Sequence, residues 1–90
     1  MNMKAKLKAK QQLPKWFKGE LYKEGAVVRN RFGGGEIELN NVELSMYDFV
    51  MGCSIMTEMG SRDTKLITEL RKGLDWFRMN NAEAYMVLLD

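Results

Sequence analysis

The sequence predicts an α+β fold: a small β-hairpin packed against two main α-helices, with short N- and C-terminal helices. Three observations carry that expectation. A cleanly alternating stretch, "EIELN", follows three consecutive glycines; two long segments place apolar residues at helical spacing; and helix-capping side chains stand where each segment begins.

Taken in order, residues 1–12 form a basic arm with little to bury, Leu7 being its only sizeable apolar residue beyond the starting methionines. The arm is expected to be disordered, and a single α+β domain to occupy residues 13–90. In "LPKWFKGELY", Pro14 suits the first turn of a short helix, Gly19 ends it with a left-handed residue, and Trp16 and Phe17 fold onto the body. A short extra strand fits residues 20–22. "GAVVRNRFGGGEIELN" reads as a hairpin. Val27 and Val28 are β-branched, Ile37 and Leu39 alternate with Glu36, Glu38 and Asn40, and "RFGGG" supplies a loop of about five residues.

Asn40 and Glu43 have the spacing of a reciprocal capping box, and Gly60 offers a stop for the helix they begin. A further helix starts at Ser61 or Asp63 and runs through "TKLITELRKGLDWFRMN", with Leu66, Ile67, Leu70, Leu74 and Phe77 on one stripe. Gly73 in its middle costs about 1 kcal/mol relative to alanine, which suggests close approach of a neighbour. Asn80 and Glu83 repeat the capping spacing before a terminal helix, "AEAYMVLLD", whose Tyr85, Met86, Leu88 and Leu89 must dock somewhere.

The central segment carries more apolar side chains than one helix face holds. Eleven of the eighteen residues from 42 to 59 are apolar. At about 100° per residue they fall into two bands. Val42, Met46, Phe49, Val50, Cys53 and Met56 form the wider one, suited to the core. Leu44, Tyr47, Met51 and Ile55 form a second that needs another surface. A polar face of Glu43, Ser54, Thr57 and Glu58 lies on one flank, and a narrow stripe of Ser45, Asp48 and Gly52 on the other. Ser45 and Gly52 would let a second helix approach closely. Leu44, Tyr47, Met51, Ile55, Ser45 and Gly52 are therefore the candidate interface.

Composition narrows the classes of function. Ninety residues with one cysteine make a small domain without disulfides, burying only ~60–65% of the surface its unfolded chain exposes. Oligomerisation is a common source of extra stability for such a scaffold. There is no histidine to act as acid, base or ligand, and Cys53 in an apolar run fits a buried thiol better than a nucleophile. No metal, no cofactor and no enzymatic activity are expected. "FGGGE" lacks the Lys-Ser/Thr of a phosphate loop and leads into a strand.

The net charge of +2 divides unevenly. Residues 1–18 carry six lysines and no acid, and residues 19–90 carry eight basic and twelve acidic side chains, a balance of −4. Lys4, Lys6, Lys8 and Lys10 on the arm, extended by Arg29, Arg31 and Phe32 on the hairpin, form a second candidate site. There lysines would meet phosphates and Phe32 would stack on a base. No run approaches the ~20 apolar residues of a membrane span, and the first residues lack the apolar stretch of a secretory leader, so a cytoplasmic protein is expected.

At "LPKWFKGE", "VELSMYDFVMG" and "KGLDWFRMNNAEAYMVLLD" the sequence resembles a group of short uncharacterised proteins of marine cyanophages and ocean viral metagenomes. The similar blocks cover around half the chain. The resemblance implies a phage or its host cell as source and a class of small accessory protein; it carries no activity and so no functional residue. The expected function is non-catalytic: self-association or binding of a phage or host protein through the Met- and aromatic-rich helix. The alternative is a nucleic-acid-binding module using the arm and the hairpin arginines. No membrane partner is expected, and the location would be the host cytoplasm.

Overall fold

The alternation of "EIEL" becomes the inner strand of a hairpin. In the computed structural model, which describes residues 11–90, β1 (Ala26–Arg29) and β2 (Glu36–Leu39) pair antiparallel, with Val28 opposite Ile37 and Ala26 opposite Leu39. Leu39 is fully buried, whereas Glu36 and Glu38 face solvent. The turn depends on Asn30. Its N–H donates to Gly35 O at 2.9 Å, its carbonyl accepts from Gly33 N–H at 3.0 Å and its Oδ1 accepts from Phe32 N–H at 2.8 Å. Gly33 and Gly34 then adopt φ of 88° and 111°, which L side chains rarely tolerate.

Three helices follow: α1 (Asn41–Glu58), α2 (Thr64–Asn80) and α3 (Ala82–Leu88). The result is the expected small α+β fold. The core joins Leu39 of β2, Met46 and Val50 of α1, Phe77 of α2, and Ala84 and Leu88 of α3. Gly73 meets the neighbour its position suggests, because a Cβ there would lie 2.7 Å from Val50 Cγ2 and 3.4 Å from Met46 Sδ. Gly25 has a sharper constraint: a Cβ would fall 2.0 Å from the Leu39 carbonyl oxygen, where no side chain can move aside. The hairpin is moored to α3 by Asn30 Nδ2, which donates to Val87 O at 2.8 Å.

The start of the domain departs from expectation. The short helix after Pro14 is a single turn, closed by Phe17 N–H donating to Pro14 O at 3.0 Å, and Gly19 does not adopt a left-handed conformation. The reason is aromatic. Trp16 and Phe17 both pack on Phe49, with centroids 5.9 and 5.3 Å away, and consecutive residues of a helix point about 100° apart. The extra strand at residues 20–22 is also absent. Tyr22 N–H donates instead to Ser45 Oγ at 2.9 Å, so α1 supplies the partner a strand would have given. Two further boundaries shift. Gln11 and Gln12 belong to the body, not to the arm, and α3 is capped by Asn81 and not by Asn80. Asn81 Oδ1 accepts from Ala84 N–H at 3.1 Å, while Asn80 remains in α2 and bonds back to Trp76 O.

Glu43 explains these shifts. The capping box forms as its spacing requires, with Glu43 N–H donating to Asn40 Oδ1 at 2.8 Å and Asn40 N–H donating to Glu43 Oε1 at 3.0 Å. Yet Glu43, placed on the polar face by its position in the sequence, is 0% exposed. Its Oε2 accepts from Asn81 Nδ2 at 2.9 Å and from Gln11 Nε2 at 3.0 Å. Gln11 also donates to Asn80 O and accepts from Asn40 Nδ2, each at 3.0 Å. One carboxylate thus binds the starts of α1 and α3 to the entering chain.

Two consequences are measurable by denaturant unfolding. Gly73→Ala is expected to lower stability by about 1–2 kcal/mol, because overpacking against the stiff Val50 outweighs alanine's better helix propensity. Adding Val50→Ala should make the same change neutral or favourable, and strictly additive losses would disprove the contact. Glu43→Gln, which turns an NH₂ towards groups that donate, is expected to cost about 2–3 kcal/mol; an unchanged midpoint would show that the network contributes nothing.

Candidate interaction surface

The two bands of α1 find different neighbours. Phe49 of the wider band meets the aromatic turn, and Met46 and Val50 lie against Gly73 of α2. Of the second band, Leu44 and Tyr47 are half-buried and pack on the chain's own core, Tyr47 standing edge-on to Phe77 at 6.4 Å. Met51 is half-buried and Ile55 is 45% exposed. Ser45 leaves the expected stripe: it is 1% exposed, donates to Asn41 O at 2.8 Å and is covered by the Tyr22 backbone. The close approach predicted for a second helix is made there by the chain's own leading segment. Gly52 remains open, with nothing within 4 Å of where a Cβ would sit.

Exposure therefore rises along α1. Its buried residues end at Cys53, beyond which Met56, assigned to the core-facing band, is 52% exposed and Met59 is 81% exposed. The helix contributes Met46 and Val50 to the core, and its last turn lies beyond both. The hairpin tip lies against this turn. Arg31 Nη2 donates to Glu58 Oε1 at 2.9 Å, and the same guanidinium lies 4.7 Å from the centre of the Phe32 ring, which is 82% exposed. Phe32 on the tip and Ile55, Met56 and Met59 near the end of α1 are thus exposed on the two elements that this ion pair joins. Ile55 and Phe32 are candidates in the sequence, but for different sites, and Met59 lies outside both bands.

Of the candidate nucleic-acid residues, the hairpin arginines are already held by carboxylates. Lys4, Lys6, Lys8 and Lys10 lie outside the described residues. Arg29 bonds Glu36 across the strands at 3.0 Å, and Arg31 holds Glu58. A depression of about 460 Å³, open to solvent and lined by Lys23, Glu24, Gly25, Glu38, Leu39, Asn40 and Asn41, lies beside the start of α1. Among the described residues no three Cys, Asp or Glu side chains converge as metal ligands, and no helix is long and apolar enough to cross a membrane.

Burial pushes the Cys53 thiol above its ordinary value of 9.0, and the Glu69 carboxylate adds to the effect. Tyr47 is raised above 10.0 by burial, with Arg31 opposing. Both groups keep their proton longer folded than unfolded, so their contribution is complete below the unfolded values and is lost as pH rises through the folded ones. Stability is expected to fall from about pH 9 upwards, and Cys53→Ala should flatten the first part of that fall in unfolding measured across alkaline pH. An identical slope in the variant would refute the assignment. Compared with protein-family models, curated proteins and solved structures, the chain matches none.

Proposed function

We propose that the chain is a non-catalytic accessory protein, phage-encoded and acting in the host cytoplasm, that works by associating with a second copy of itself through the exposed end of α1 and the hairpin tip. The observation that supports this reading is the exposure, at 45–82%, of Phe32, Ile55, Met56 and Met59 on the two elements that the Arg31–Glu58 ion pair joins. Exposed apolar surface marks contact sites, and methionine adapts to whatever shape it meets. A stable dimer buries roughly 800 Å² on each partner, more than four side chains supply. The contact therefore continues down α1 over Met51 and the open surface at Gly52.

Light scattering across a concentration series tests this. The expected particle has twice the 10.4 kDa chain mass, persists at high salt, and reverts to a single chain in Ile55→Lys or Met59→Lys, with thermal melting checked for each. A wild-type monomer at millimolar concentration would end the proposal.

A further inference from the structure

A different face carries lysines that no ion pair among the described residues holds. The segment 11–17 runs along one flank of α2 from its C-terminal end backwards: Gln11 binds Asn80 O, Trp76 Nε1 donates to Gln12 O at 3.0 Å, and Trp16 lies beneath Lys72, whose Nζ is 5.9 Å from the ring centre. Lys15 and Lys18 follow on that segment, and Lys65, seven residues before Lys72, falls on the same side of α2. All four lysines are exposed, Trp16 and Trp76 are half-buried, and none of the four is held in an ion pair among the described residues, unlike Arg29, Arg31 and Arg78. Glu69, four residues after Lys65 and three before Lys72, is an acid on this side of α2.

We infer that this lysine and tryptophan ridge binds single-stranded nucleic acid. Charge selects the phosphodiester backbone, because four lysines without ion pairs among the described residues, two on the leading segment and two on the α2 flank it runs along, form a track on an otherwise acidic body that polyanions can follow. The indoles select unpaired bases. A base stacking on Trp16 takes the place of the Lys72 ammonium, which is then free to reach a phosphate, whereas a duplex offers no open base face. The ridge begins where the arm of Lys4, Lys6, Lys8 and Lys10 joins the body, so the two basic segments are continuous in the chain. The hairpin arginines are not part of it.

Titration of full-length protein with an oligothymidylate, followed by tryptophan fluorescence, tests the inference. Quenching is expected, with a log–log salt dependence of about −3 or steeper from four or more phosphate contacts. Lys15→Glu and Lys72→Glu should each weaken binding tenfold or more, and Arg29→Gln less than twofold, all with unchanged melting. No binding at low salt overturns the inference. So does equal loss in Arg29→Gln and Lys72→Glu, or loss confined to substitution of Lys4, Lys6, Lys8 and Lys10 by glutamine. Equal affinity for a duplex or for heparin would show an unselective polyanion surface and overturn it as well.

Discussion

A carboxylate without exposure to water governs this domain. Burying an unpaired charge costs several kcal/mol, so Glu43 is tolerable only while its oxygens are occupied. Among the described residues all its partners are neutral: one backbone N–H and two side-chain amides. Its place in the first turn of α1 adds the favourable field of that helix's N-terminus. The partners come from residues 11, 40 and 81, so satisfying one side chain fixes where the chain enters, where α1 starts and where α2 gives way to α3. The aromatic turn and the ridge of α2 inherit their positions from that arrangement.

Local chemistry made much of the fold legible. Alternating Ile37 and Leu39, glycines at the turn and the Asn40/Glu43 spacing each act within a few residues of themselves, so the hairpin and the starts of both long helices could be read directly. The burial of Glu43 could not. A capping glutamate usually faces water, and what encloses this one arrives from 32 and 38 positions away. The leading segment was misread for a related reason. Pro14 permits a helix, but Trp16 and Phe17 share one ring partner, and tertiary contact overrode local preference.

The surface was legible in part. Angular placement put Val50 and Cys53 on the buried side, yet it set Leu44 and Tyr47 apart from the core they pack against and could not say how far along the helix burial would extend. Burial ends at Cys53, leaving Met56 exposed although the band it was assigned to also holds Val50 and Cys53. Ser45 shows the converse: a small residue that invites a neighbour was met from within. Nor did charge in the sequence distinguish arginines already held by carboxylates from lysines without such partners.

The brevity of α3 has a consequence for how the elements depend on one another. Isolated helices below ~12–15 residues are marginal in water, and seven residues fall well short. Ala84, Leu88 and the amide of Asn81 hold this one only through surfaces that the hairpin, α1 and α2 build. The tail thus acts as a keystone: it depends on those surfaces, and the strands in turn rest on it.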